Sequence, residues 1–361
     1  MIEEQNRVQT HRLGRTNLEV VRIGCGGIPI IKEEFDDAVA VVKAALAAGV
    51  NYFDNARAYG DSESKMGVAL EGKREDIILA SKVHFRDREK ADEALRTSLK
   101  ELRTDYLDVY QLHDVSTAVD FEKVTAPGGV LDMAKEARQA GIVRFIGLSS
   151  HNEACLRKAI ESDEFDTVLL TYNLGSRWPE REIMPLAKRH DVGVVVMKPM
   201  SGGIFFHLSK QTEDGPPTVT PEEAMRFVLS NEHVDVALSG FRKVEEVPQN
   251  MAVLQDFTPL TTEERERLTA FGDSLGQVYC RHCTYCLPCT QDIDIPSILE
   301  LLDHSERFSY EWPTHRRKYA EFEVKADVCV ECGECEGRCP FGVPIQERLK
   351  IAVKKFGDKP Y

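Results

Sequence analysis

The 361-residue chain has only two tryptophans and no surplus of positive charge. Its 46 Lys and Arg stand against 60 Asp and Glu, a formal net charge of −14. A protein whose main partner is nucleic acid or an anionic membrane concentrates Lys and Arg, so neither is expected here. No stretch approaches 18 consecutive apolar residues, and the opening "MIEEQNRVQT" lacks the basic start and apolar run of an export signal. Those absences imply no membrane span and a cytoplasmic location. Cysteine is nearly missing from residues 1–279, where only Cys25 and Cys155 occur, and both read as buried small hydrophobes.

What the chain does have is alternation. Eight apolar, β-rich runs ("VVRIGCGG", "NYFDNA", "DIILASKV", "YLDVYQLH", "VRFIGLSS", "TVLLTYN", "VGVVVMKPM", "VDVALSGF") are separated by segments with a period-3.6 apolar face, such as "DDAVAVVKAALAAG" and "EKADEALRTSLKELR". Near-continuous apolar strands, each followed by a helix, are parallel strands covered on their outer face. Eight such units predict an α/β fold, a (β/α)8 TIM barrel. A doubly wound open sheet shares the alternation, but "GCGG" at Gly24 to Gly27 has the wrong spacing for a dinucleotide fingerprint. The segment "VQTHRLGRTNLEVVRIG" predicts a hairpin around Thr16 and Asn17 that covers the barrel floor. Gly49 and Gly141 read as helix stops, Thr220 with Pro221 as a capped helix start, and Ser201 to Thr218 as a long loop.

Barrel enzymes draw their catalytic groups from the C-terminal ends of different strands. Asp54 closes the second strand, Tyr59 follows five residues later, Lys82 closes the third and His113 the fourth, so all four face one mouth. The stretches "FDNARAYGDSESKMGVAL", "LASKV", "DVYQLH", "RFIGLSSHN" and "GVVVMKPM" resemble the aldo/keto reductase superfamily, over residues 8 to about 256. The resemblance implies hydride transfer between a nicotinamide cofactor and a small carbonyl or alcohol substrate. Tyr59 would be the proton donor. Lys82, whose ammonium lowers a phenol's pKa, would be held charged by Asp54, and His113 would hydrogen-bond the carbonyl oxygen.

The same resemblance implies an extended NADP or NAD across the mouth. Ser149 and Ser150 fall at the carboxamide position, Met197 where a ring-stacking residue sits, and Met200, Gly202 and Gly203 by the pyrophosphate together with Ser239 and Gly240. Asn250 matches the adenine position. Arg242 and Lys243 would clamp a 2′-phosphate, whereas Glu246 stands where an Arg is common, so the two dinucleotides are not separated.

The remaining eight cysteines crowd into the C-terminal segment. Cys329, Cys332, Cys335 and Cys339, followed by Pro340, have the C-x2-C-x2-C-x3-C-P spacing of bacterial ferredoxins, in which the fourth cysteine reaches the other 4Fe-4S cluster. Cys280, Cys283, Cys286 and Cys289 form a run one residue shorter, ending in Thr290 instead of proline. Similar elements follow both runs, "DIDIPSILELL" and "FGVPIQERLKIA". This repetition predicts two 4Fe-4S clusters in a small ferredoxin-like domain, either with Cys339 exchanged to the first trio and Cys289 to the second or with each run holding its own cluster. Two zinc sites are the metal-class alternative.

The expected organisation is a barrel over residues 1–276 and an iron–sulfur domain over 277–361. Hydride carries two electrons and each cluster one, and no flavin motif stands between them. The clusters would therefore either staple the small domain or relay electrons to a redox partner protein. Two other functions use the same residues: an electron-transfer protein with the barrel as a docking body, and a non-catalytic nucleotide sensor.

Overall fold

In the computed structural model the described residues are 10–31, 33–203, 205–206, 219–274, 279–280, 286–307, 312–339 and 342–357. Eight strands close into a barrel: β3 (Ile23–Gly26), β4 (Tyr52–Asp54), β5 (Ile78–Val83), β6 (Leu107–Leu112), β7 (Val143–Ser149), β8 (Thr167–Thr171), β9 (Gly193–Met197) and β10 (Val236–Ser239). Every neighbouring pair is parallel, and β10 returns to β3 through the pairing of Ala237 with Ile23. All six residues of β5 and of β6 are buried, as strands with side chains inside the barrel and under the helices must be.

Between the strands run α1 (Phe35–Ala47), α2 (Ser62–Ala69), α3 (Arg88–Glu101), α4 (Ala118–Thr125), α5 (Val130–Gln139), α6 (Glu153–Glu161) and α7 (Ile183–Arg189). Their starts follow the sequence. Asp87, Thr117 and Asn152 accept from the backbone amides of Lys90, Asp120 and Cys155 at 3.0, 3.0 and 3.1 Å. Thr220 forms a full capping box with Glu223 ahead of the Pro221–Leu229 helix. Gly49 and Gly141 end helical runs at φ 94° and 74°, conformations that Gly adopts without steric cost.

The amino-terminal strands β1 (Thr10–Leu13) and β2 (Leu18–Val21) form the expected antiparallel hairpin, with Thr10 opposite Val21 and Asn17 left-handed at φ 54°. Leu13, Leu18 and Val20 share one core with Tyr52, Val109, Val195 and Val236, which closes the barrel floor with side chains. The contact is tight: a Cβ on Gly14 would lie 2.2 Å from the Gly193 nitrogen. Cys25 and Cys155 are both buried, and burial pushes the Cys25 thiol up to about 12.

Two compact units divide the chain: residues 1–173 with 177–263, and residues 174–176 with 264–361. The helix Thr262–Ser274 belongs almost wholly to the second unit.

The second unit's core is small. Ile298, Leu299 and Leu302 of the helix Ile295–Arg307 meet Leu349, Ala352 and Phe356 of the helix Ile345–Phe356, with Tyr319 beside them. Cys286 and Cys335 are buried in this core, and Cys280, Cys289, Cys329 and Cys339 pack against it. Arg348, itself buried, ties the two helices by pairing with Asp303 and, at 2.9 Å, with Glu306. Asp303 also accepts the Cys280 amide at 2.7 Å.

The repeat seen in the sequence is repeated in the backbone at an offset of fifty residues. The Asp292 amide donates to Cys289 O at 3.1 Å and the Gly342 amide to Cys339 O at 3.3 Å. Asp292 and Gly342 both have positive φ, 55° and 62°. Ile295 N donates to Ile293 O, and Ile345 N to Val343 O, each at 2.8 Å. The second position needs a residue tolerant of the left-handed region, which explains Asp in one copy and Gly in the other.

Candidate active site and cysteine centre

The C-terminal ends of β4, β5 and β6 bring four predicted side chains together. Register sets their heights: Asp54 pairs with Ala80, and Lys82 with Gln111. Lys82, 1% exposed, pairs with one Asp54 carboxylate oxygen and donates to the Asn55 carbonyl at 2.7 Å. The other Asp54 oxygen accepts from Gln111 Nε2 at 2.8 Å, so the buried carboxylate has a donor on each side.

Gln111 was not singled out by the sequence analysis. It lies two residues before His113, which the alternation of a strand places on the same side, and that period was the available signal. Gly147 makes room for it: a Cβ there would approach Gln111 Cγ to 2.9 Å and Thr167 Oγ1 to 2.5 Å.

Tyr59 sits in the loop after β4. Its amide donates to Ala56 O at 3.0 Å, and its carbonyl accepts from Ser62 N at 3.0 Å. Lys82 Nζ lies 5.1 Å from the ring centroid, while the His113 ring stands edge-on at 5.6 Å and 84°. Two further residues anchor this loop without having been predicted. Arg57 donates to buried Glu63 at 2.5 Å and to the Gly60 carbonyl at 3.1 Å, and Ser81 on β5 donates to the same Glu63 at 2.6 Å.

The electrostatics correct one expectation. Lys82 does act to lower the Tyr59 pKa, but burial outweighs it and Asp54 opposes it, so the phenol lies above its ordinary value. Burial works against the Lys82 ammonium too, yet Asp54 and Tyr59 hold its pKa above the usual value. Burial, with Lys82 nearby, pushes His113 down to about 3, which makes it a neutral imidazole. Its Nδ1 is buried with no hydrogen-bond partner among the described residues.

The predicted cofactor residues are near strand ends, but several are already engaged. Ser149 Oγ accepts the Asp114 amide at 2.8 Å, and Ser150 Oγ accepts the Asn152 amide at 3.0 Å. Asn250 donates to Ser239 Oγ at 2.9 Å, next to Gly240. Met197 packs against the barrel core. After β9, Lys198, Ser201, Gly202 and Gly203 all have positive φ, and Gly203 N donates back to Met200 O at 2.9 Å. The remainder of the predicted loop, residues 207–218, lies outside the described residues.

The expected phosphate clamp differs most. The Arg242 and Lys243 amides meet the carboxylate of Glu246 at 2.7 and 3.3 Å, and Arg242 Nε pairs with Glu33 at 3.0 Å. An internal carboxylate thus meets the amides at which a phosphate was anticipated.

In the second unit Cys289, Cys329, Cys332 and Cys335 line a single cavity with Thr290, Gly333 and Gln346. Thr290 Oγ1 is 3.7 Å from Cys332 Sγ, and the Gln291 amide is 3.5 Å from Cys289 Sγ. Cys289 therefore lines the same cavity as the trio from the other run. Of the complementary set, Cys280, Cys286 and Cys339 pack against the same small core, and Cys283 lies outside the described residues.

Comparison with known proteins gives a family for each unit. The model of the aldo/keto reductase family matches residues 22–223, and that of a 4Fe-4S dicluster domain matches residues 279–344. The chain belongs to the aldo/keto reductase family and carries a C-terminal 4Fe-4S dicluster domain. It is 26% identical over 301 residues to the uncharacterized oxidoreductase YqkF of Bacillus subtilis, covering 72% of this chain and 95% of that protein. It is 24% identical over 303 residues to L-galactose dehydrogenase of Arabidopsis thaliana, covering 72% and 92%. The aldo-keto reductase AKR11C1 from Bacillus halodurans, in its holo form, superposes with a TM-score of 0.63 at 27% identity, covering 73% and 96%. An aldo/keto reductase from Klebsiella pneumoniae, solved in complex with NADP and acetate, shares the fold at 23% identity and a TM-score of 0.59, covering 73% and 94%.

Proposed function

We propose that the barrel interconverts a small carbonyl compound and its alcohol using NADH or NADPH, with Tyr59 as the proton donor. The observation that carries this reading is the buried chain Gln111, Asp54, Lys82, with Lys82 Nζ 5.1 Å from the Tyr59 ring centroid and His113 edge-on to that ring. Nicotinamide, when bound, supplies or accepts the hydride.

The chain's own residues do the rest. Negative charge developing on the carbonyl oxygen needs hydrogen-bond donors and then a proton. Tyr59, kept neutral by burial, holds that proton across the physiological range. As it gives the proton up, the adjacent Lys82 ammonium stabilises the phenolate, and Asp54 keeps that ammonium charged and aimed. Among the described residues His113 has no acceptor for a proton on Nδ1, so we place its proton on Nε2, as a neutral donor to the substrate oxygen. Glu246 and Glu33 oppose an added phosphate at Arg242, so we propose that NADH is used more readily than NADPH. The test is turnover of an aldehyde panel with each dinucleotide. Turnover that is lost in Tyr59→Phe with dinucleotide binding intact supports the reading, and absence of turnover by the parent protein removes it.

In the second unit, we propose two 4Fe-4S clusters with the exchanged ligand sets. Four thiolates on one zinc, at a Zn–S distance of about 2.3 Å, would stand about 3.8 Å apart. Among the described residues no group of His, Cys, Asp or Glu converges at single-ion spacing, whereas four cysteines share one cavity. The 4Fe-4S dicluster match over residues 279–344 favours iron–sulfur clusters over zinc. About eight irons and eight sulfides per chain after anaerobic purification would support that reading.

A further inference from the structure

We propose that the C-terminal unit presents a docking face for a basic one-electron carrier protein, centred on Cys332 and the exposed pair Val328 and Val330. The inference rests on the cluster reading above.

Of the four cysteines around the shared cavity, Cys335 is buried, Cys289 and Cys329 are half-buried, and Cys332 is exposed. A cluster held by these ligands comes nearest to solvent at Cys332. Electron exchange between proteins falls steeply with distance, so a partner must approach this edge. The surface there is unusual for its apolar content. Val330 is 59% exposed and Val328 44%, and the two bracket the ligand Cys329. An isolated exposed valine needs no explanation, but a pair flanking a cluster ligand beside the exposed thiolate forms an apolar centre.

The rim is acidic. Between residues 321 and 338 there are six acids (Glu321, Glu323, Asp327, Glu331, Glu334 and Glu336) against Lys325 and Arg338, a net of −4, and Arg338, which lines the same cavity, pairs with Glu334 at 3.6 Å. Asp327, Glu331 and Glu334 are exposed. Lys350 meets Glu331 at 2.8 Å, but this pair is itself exposed and weakly bound. An apolar centre in an acidic ring is the complement of a carrier whose own redox edge is apolar and ringed by Lys or Arg. Contacts of this kind are small and transient, and their rates depend on charge. The step is the passage of one electron from the reduced cluster to the oxidised carrier, or the reverse, with no bond or proton moved.

The test uses the full holoprotein, reduced with dithionite under anaerobic conditions, with oxidised cytochrome c as a basic one-electron acceptor and a flavodoxin as an acidic one. Stopped-flow absorbance should show faster reduction of cytochrome c, with a rate that falls as salt rises. Asp327→Lys combined with Glu331→Lys should slow it about tenfold at low ionic strength and flatten the salt dependence. The same charge change on the barrel, Glu93→Lys with Glu122→Lys, should alter it less than twofold. Val330→Ser should slow it at all salt concentrations. Equal rates for the two double variants, or a preference for flavodoxin, would overturn the proposal. Iron content and the cluster's electron paramagnetic signal, measured on each protein, separate failure of docking from failure of the cluster reading.

Discussion

The two units solve the same problem, holding reactive groups in place, by different means. In the barrel the reactive groups stand on a closed parallel sheet with a large aliphatic core, and the buried Asp54–Lys82 pair is fixed by strand register. In the C-terminal unit the reactive groups are the core. Six of the eight cysteines are buried in or packed against a cluster of fewer than two dozen apolar side chains. A barrel can lose a catalytic side chain and remain a barrel. A unit whose small core is shared with the cysteines proposed to hold the clusters has less separation between fold and function.

Removing the clusters should give the largest effect. Chelation after oxidation, or Cys335→Ser, is expected to expose the region after residue 263 to proteolysis and hydrogen exchange, while the barrel keeps its protection. Retention of protection over the helix Ile345–Phe356 without iron would show that the apolar core suffices.

Next in size is Lys82→Met. It should lower kcat by about 10³-fold or more and raise the pH at which alcohol oxidation begins, because the phenolate loses its cation. Asp54→Asn should cost the barrel about 3 kcal/mol in urea unfolding, since it leaves a buried ammonium with a neutral partner. Carbonyl reduction by the parent protein should stay level between about pH 5 and pH 9. His113 is neutral above about 3, and Tyr59 remains protonated because its pKa is raised. A sharp fall inside that window would contradict the assignment of these two groups.

The smallest effect belongs to the barrel floor, where burial pushes Asp235 up to about 6 while its carboxylate accepts the Val194 amide at 2.8 Å. A raised carboxyl pKa means that the folded state binds the extra proton between the unfolded value, about 4, and 6, so stability falls as pH rises through that window. Asp235→Asn keeps the acceptor and removes the charge. It should raise stability at pH 7.5 by about 1 to 2 kcal/mol, measured by thermal melts, and leave it unchanged near pH 4.

Much of the barrel was legible in the sequence because its physics is periodic: eight apolar runs became eight parallel strands, and their ends brought the four predicted side chains together. The fifty-residue repeat was legible for the same reason and reappears in the turns at Asp292 and Gly342. What escaped was decided by contacts across elements. Gln111 matters because register sets it against Asp54, and Arg57 matters because Glu63 and Gly60 lie within reach of its guanidinium. The sign of the Tyr59 shift also escaped, since a sequence names the neighbouring ammonium but not the depth of burial that outweighs it. Glu246 was visible as an oddity, yet only its contacts with the Arg242 and Lys243 amides show what it does.

The account turns on a neutral phenol beside a paired ammonium. Its most direct test is Tyr59→Phe, assayed with NADH and 4-nitrobenzaldehyde alongside fluorescence titration of the dinucleotide. Reduction should fall by at least about 10³-fold with dinucleotide affinity within a factor of two of the parent. A variant that reduces the aldehyde at the parental rate would show that the proton comes from elsewhere.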